Sequence, residues 1–285
     1  MQRVGIWVAL AVGWLLGCEA RQGGVEKGQA APSRQVETAS VTVPKQTDPS
    51  EPAAVTQQRL TATLTQYSQP FFAVREGGAS TSLRAQVGKS VSLQLALPGI
   101  ARWQDAQIGE LVVRRPGTVD TLSVDKTTAG GLVTYTFPTA GPALMMMCAG
   151  PKPAEAPRDW ADATYCSKVI VNVTDGRQPA DPLSDSHITN TAGQPIEVVP
   201  HLSPVGMKVG WELPTTFYFQ TMRQIGVEVA ARRPDGTLDR QTTDASGVAR
   251  FVLSQAGRWV IRFVKPRPDG ERIAELVFDL GEGQR

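Results

Sequence analysis

The run Met145-Met146-Met147-Cys148 is the densest set of soft metal ligands in the chain, the donor types that suit copper(I). On a strand successive side chains alternate between faces, so only Met145 and Met147 can converge, and both fall on an apolar core face. Core filling by flexible thioethers follows from that. His187 and His201 have no second histidine or cysteine at ligand spacing, so both read as solvated loop residues, and no metal or other cofactor is assigned. Gly88-Lys89-Ser90 looks like the end of a phosphate loop, but the first glycine of such a loop is replaced by Leu83. Asp159, Trp160 and Asp162 form one polar-aromatic cluster on a long loop, a candidate surface for a sugar or protein partner. Two aspartates on that one loop, with no second partner identified for them, do not make the acid and base of a glycan hydrolase.

Ser123-Val124-Asp125-Lys126 has the Ser-x-x-Lys spacing of penicillin-recognising enzymes, yet Gly, Thr and Val surround it and no helix start presents the serine. No catalytic residue is assigned, and the chain is expected not to be an enzyme. Cys18 is a different case. Arg3 supplies one positive charge, Val4 to Leu16 are apolar over a length too short for a membrane span, and Leu15-Leu16-Gly17-Cys18 closes the run. This resembles the lipobox of bacterial lipoproteins, in which the cysteine thiol receives a diacylglycerol and becomes the mature N-terminus. The resemblance implies a signal peptide over 1–17, lipidation at Cys18 and a membrane contact through the lipid. Glu19 in place of aspartate resembles the default route to the outer membrane rather than the inner one. From Glu19 to about Arg59 no apolar cluster occurs, so 18–58 is expected to be a disordered tether.

The elements that would carry these residues follow from a repeat. Thr127 to Gly141 matches Thr243 to Gly257, with Gly131 on Gly247 and Ala140-Gly141 on Ala256-Gly257. Arg114-Arg115-Pro116-Gly117-Thr118 matches Arg232-Arg233-Pro234-Asp235-Gly236-Thr237, and Val87-Gly88 matches Val209-Gly210. A period this long means tandem domains rather than a solenoid. Apolar residues alternate at Val91, Leu93, Leu95 and Leu97, at Ile225, Val227 and Val229, at Trp259, Ile261 and Phe263, and at Leu276, Phe278 and Leu280. Asp235-Gly236 and Ser246-Gly247 supply turn residues. With 27 glycines and 21 prolines and no long helical periodicity, the chain reads as all-β. The expected organisation is a β-sandwich domain over 59–175, a linker over 176–193 and a second sandwich over 194–285 that folds alone.

The stretch Thr243-Asp244-Ala245-Ser246-Gly247-Val248-Ala249-Arg250-Phe251 is similar to the Thr-Asp-x-x-Gly-x-x-x-Phe hairpin of bacterial Ig-like and carboxypeptidase-regulatory-like (transthyretin-like) domains. The run from Ile196, with Lys208-Val209-Gly210 and Ala256-Gly257-Arg258-Trp259, resembles a periplasmic family of unknown function, some members of which are linked to nickel or cobalt uptake. The first resemblance implies two tandem Ig-like β-sandwiches; the second implies a metal-uptake accessory as an alternative function.

With Cys18 given to lipid, Cys148 and Cys166 remain, and in an oxidising compartment they are expected to pair. Alignment with Trp259, Ile261 and Phe263 puts Ala143, Met145 and Met147 in the core and Cys148 on the outer face. Tyr165, Val169, Val171 and Val173 likewise leave Cys166 outward, opposite Cys148 on the neighbouring antiparallel strand. Val264 and about Ile273 take the equivalent places in the second repeat, where the connecting loop is shorter.

The charge balance, 29 basic against 27 acidic side chains for a net +2, includes no basic stripe with interleaved aromatics and argues against nucleic acid. The favoured reading is a lipid-anchored cell-envelope protein whose sandwiches bind an envelope protein or a glycan, or serve a structural role. The alternatives are the nickel or cobalt accessory and a glycan-acting enzyme.

Overall fold

The computed structural model describes residues 72–76, 79–80, 83–95, 108–124, 132–149, 164–176, 185–267 and 270–281. The expected signal peptide over 1–17, Cys18, the whole expected tether over 18–58 and the loop with Asp159, Trp160 and Asp162 lie outside these residues. The first repeat contributes strands β1 (Phe72–Glu76), β2 (Ala79–Ser80), β3 (Arg84–Gln86), β4 (Ser90–Leu95), β5 (Leu111–Arg115), β6 (Thr118–Leu122), β7 (Leu132–Thr136), β8 (Gly141–Ala149) and β9 (Thr164–Thr174). A single helical turn, α1 (Ser186–Thr189), precedes the second repeat. That repeat contributes β10 (Ile196–Pro200), β11 (Glu212–Phe219), β12 (Met222–Arg223), β13 (Glu228–Arg232), β14 (Leu238–Thr242), β15 (Val248–Val252), β16 (Gly257–Lys265) and β17 (Arg272–Leu280). The fold is all-β and sandwich-like.

The matches between the repeats are hydrogen-bonded equivalences. Gly88 N–H donates to Phe137 O and Gly210 N–H to Leu253 O, both at 2.9 Å. Gly141 and Gly257 open β8 and β16 at φ 120° and 118°, a region that favours glycine, and a Cβ on Gly257 would lie 2.9 Å from Pro234 Cβ. The hairpins β5–β6 and β13–β14 each carry an arginine–aspartate pair, Arg115–Asp120 at 2.9 Å and Arg233–Asp239 at 3.1 Å. The Thr243-Asp244 signature is a turn device. Thr243 Oγ1 donates to Gln224 O at 2.8 Å, and the Asp244 carboxylate accepts from Ser246 N–H at 2.8 Å and Val248 N–H at 3.0 Å.

Two small sheets and one large sheet result. β2-β1-β4-β7 form one small sheet; β10, β11, β12 and β15 form the other. The large sheet runs β14-β13-β16-β17-β9-β8-β5-β6, with β3 alongside β9. Its order is a palindrome about β17 and β9, and those two equivalent strands are parallel, Arg272 opposite Thr164 through Val277 opposite Val169. Parallel equivalent neighbours are related by a rotation about an axis along the strands, which turns the sheet over. The core of the first repeat therefore lies on one face of the large sheet and the core of the second on the other.

This continuity overturns the expectation of an outer face on β8 and β9. Ala143, Met145 and Met147 do lie in the first core, with Val91, Val113, Tyr135 and Phe137. The opposite parity, Leu144, Met146, Cys166 and Ile170, is buried in the second core with Trp259, Ile261, Phe263 and Phe278. Period-two patterning marks one face as apolar but does not say what covers the other. The segment from Asp185, expected as linker, packs against the first repeat. Ile188 is buried, and Arg114 donates to Thr191 O and Ala192 O, both at 3.3 Å. His187, expected to be solvated, donates from Nε2 to Pro142 O at 2.9 Å. Ile225 does not belong to a strand. β13 starts at Glu228, and the turn through Gly226 at φ 65° leaves Ile225 exposed.

Candidate functional site

The junction of the repeats is charged and buried. Lys168 on β9 and Glu197 on β10 form an ion pair with both side chains buried. Ala192 N–H also donates to the Glu197 carboxylate, at 2.5 Å. Burial pushes the Lys168 amine below its ordinary value, and the Glu197 charge opposes that. On the other face of the same strand pair, Arg262 reaches Glu275 at 3.1 Å and Ser167 Oγ donates to Glu275 at 2.7 Å. Among the described residues this is where charge is most deeply buried. It fixes how the repeats meet and leaves no open site. Lys168, Glu197, Arg262 and Glu275 were not singled out from the sequence, although each interrupts an apolar strand.

Cys148 and Cys166 are bridged and directly opposed in the β8–β9 register, with Cα atoms 4.1 Å apart. Cys166 is fully buried and Cys148 partly so, against the second core. The bridge sits at the base of the loop 150–163, the expected partner loop. Gly109 N–H donates to Cys148 O at 2.8 Å, and a Cβ on Gly109 would meet that oxygen at 3.0 Å. Thr164 N–H donates to Glu271 O at 2.9 Å. Because β9 and β17 are parallel, their first residues, Thr164 and Arg272, lie side by side at one end of the large sheet.

The β11–β12 hairpin joins that end. Phe219 faces Met222 in the register, Gln220 N–H donates to Pro195 O at 2.8 Å, and the Arg267 guanidinium lies 5.7 Å over the Phe219 ring. Gln220 and Thr221 turn the hairpin at φ 49° and 67°, the left-handed region that a β-branched residue rarely enters. Met222 and Ile225 beside it are 71% and 61% exposed, against 48% for Val252 on the same small sheet and 44% for Val209 and Trp211 on the segment before β11. The body also begins here. Phe72 opens β1 opposite Leu95, at the end of β4 away from Ser90, and Ser90 pairs with Thr136 just before β8 sets off toward the 150–163 loop.

His201 lies on the solvent face of the second small sheet and shares a 2.6 Å hydrogen bond between Nε2 and Thr216 Oγ1. Burial, then the charges of Arg250 and Arg223, hold its imidazole below the ordinary value, opposed by Asp244. Met145 and Met147 point into the first core and Met146 into the second, so the methionine run does not converge. Among the described residues no three His, Cys, Asp or Glu side chains gather as metal donors, and no helix is long and apolar enough to cross a membrane.

No curated protein sequence matches the chain. Among solved structures, it is similar to the fibronectin(III)-like modules of Clostridium thermocellum CbhA, at 12% identity over 73% of this chain and 94% of that one, with a TM-score of 0.21. It is also similar to a segment of two fibronectin type-III domains from chicken tenascin, at 8% identity over 74% and 98%, with a TM-score of 0.23. A domain model described only as a domain of unknown function matches residues 104–265, more than half of the sequence and across both repeats, and the chain therefore belongs to the family DUF4198.

Proposed function

We propose that this protein is a lipid-anchored, non-catalytic binding or structural module of the cell envelope, tethered through Cys18 and contacting a partner with the end of the body from which the 150–163 and 266–271 loops emerge. The observation that carries the reading is the parallel β9–β17 pair. It locks two sandwiches into one body and brings corresponding loops to one end, an arrangement suited to presenting a composite surface on a stiff scaffold. The disulfide at the base of the longer loop supports the same reading. Asp159, Trp160 and Asp162 would belong to that surface, facing an envelope protein or a glycan. With Glu19 after the cysteine, the outer membrane is the proposed location.

The test is paired. Cys18→Ala abolishes lipid on the N-terminal peptide and releases the protein from membranes or leaves it unprocessed; unchanged membrane retention defeats the anchor. A photo-crosslinker at Trp160 in the intact lipoprotein captures one envelope component at stoichiometric yield, and a crosslinker at Val119 on the β6 edge does not. Equal capture at both positions defeats the loop-end surface. Stoichiometric nickel, cobalt or copper in mildly purified protein would replace this reading with a metal-uptake accessory.

A further inference from the structure

We infer that the β11–β12 hairpin tip is a docking element for anionic phospholipid headgroups, so that the tethered body rests on the bilayer through Met222 and Ile225. The contact itself stands on the geometry of the tip and rests on the lipid-anchored reading only for its effective concentration.

Four observations point to this occupant. The tip carries the two most exposed large hydrophobic residues of the described second repeat, on a turn whose left-handed Gln220 and Thr221 hold it in a sparsely populated conformation. Its surroundings are basic. From 265 to 272 the sequence has Lys265, Arg267 and Arg272 against Asp269 and Glu271, and Arg223 on the tip adds a fourth cation. Arg267 is fastened to the hairpin by its place over Phe219, and Lys265 and Arg272 face each other across the β16–β17 pair at the two ends of the connection that carries it. Glu228, at the start of β13, is already paired with Arg240 at 3.4 Å. Exposed apolar side chains ringed by Lys and Arg match the boundary between headgroups and acyl chains of an anionic leaflet. Finally, β1 opens at Phe72 on this same end. On the lipid-anchored reading, a tether of the length expected over 18–58 would span roughly 35 Å root-mean-square and keep the body near the membrane that holds the lipid.

The test uses the chain from Glu19 to Arg285, which keeps every described residue and lacks the anchor. It is floated with vesicles of phosphatidylethanolamine and phosphatidylglycerol and, separately, of phosphatidylcholine alone. The protein is expected to float with the anionic vesicles and not with phosphatidylcholine. Arg223→Ala should weaken binding about fivefold, the effect of one cation at an anionic surface. Met222→Asp with Ile225→Asp should weaken it by about tenfold or more, with an unchanged melting temperature because both residues are exposed. Val119→Asp, on the exposed β6 edge, should change nothing. Three outcomes overturn the inference: no flotation with anionic vesicles, flotation indifferent to the double variant, or an equal loss in Val119→Asp. Capture of the tip by an envelope protein, with no lipid binding, also overturns it. The anchor is read separately, from the mass of the Cys18 peptide of the full-length protein, so either claim can fail alone.

Discussion

The hairpins β8–β9 and β16–β17 hold the same place in their repeats and are secured differently. Cys148 faces Cys166 in the first, and Val264 faces Ile273 in the second. The first closes the longer loop, 150–163, and carries the covalent bridge; the second closes 266–271 with an ordinary valine–isoleucine pair. The next equivalent positions along the strand are Lys168 and Glu275. Lys168 finds its partner on β10 of the other repeat, and Glu275 finds Arg262 on the adjacent strand of its own. A duplicated scaffold has thus been made asymmetric at its junction. The Lys168–Glu197 ion pair joins the two repeats, and the faces that two separate sandwiches would expose become interior.

The largest test of this comparison is to separate its halves. Residues 193–285 alone would uncover Val260, Ile273 and Val277 and leave β17 an open edge, so the expectation that this repeat folds independently should fail in a particular way. The fragment should unfold at much lower urea than the intact chain or self-associate in sedimentation. A monomeric fragment as stable as the whole would show that the junction contributes little.

Lys168→Ala should destabilise the intact chain by about 3–5 kcal/mol in urea titration, because Glu197 is left buried and unpaired. Lys168→Met combined with Glu197→Leu should recover most of that loss. If the single variant is neutral, the pair is solvated and does not lock the repeats. Trp259→Ala should cost about 3–5 kcal/mol by the same measurement, since the indole is fully buried and its Nε1–H donates to Gln255 O at 2.9 Å. The equivalent place in the first repeat is Ala143, so no matching loss is available there, and the second core should prove the more sensitive to truncation.

Replacing Cys148 and Cys166 together by alanine should cost about 3 kcal/mol in the chain-entropy model. Peptide mapping without reductant reads the bridge directly, and two free thiols would break the contrast with Val264 and Ile273. The smallest effect is the acid-sensitive contribution of one turn of the second repeat. Hydrogen bonds from Thr237 and Gln255 hold the Asp235 carboxyl down at about 2, whereas the first-repeat turn has Pro116-Gly117 and no aspartate. A carboxyl lowered in the folded state contributes stability above its unfolded value of 3.8, and that contribution disappears as the pH falls toward 2. Asp235→Asn should make the fall in stability with acid shallower in that window and leave the contributions of Asp120 and Asp244 in place.

The strands, their turns and the duplication were legible because they are local. Period-two apolarity marks Trp259, Ile261 and Phe263 without any tertiary information, and Gly141 and Gly257 announce backbone that other residues rarely adopt. The opposition of Cys148 and Cys166 was legible too, because an antiparallel hairpin sets its register by sequence position. The tip at Met222 and Ile225 was missed, since Ile225 fits an alternating pattern that the turn at Gly226 ends before β13 begins.

The sequence by itself determined an all-β chain of two related repeats, and the neighbours within each hairpin. Tertiary structure alone decided that β9 and β17 meet edge to edge in parallel, that both parities of β8 are buried, and that Lys168 and Glu197 close the junction. The reason is physical: alternation records that one face of a strand avoids water. The cover over the opposite face, and the partner of a lone buried charge, come from segments far along the chain and leave no periodic trace where they act.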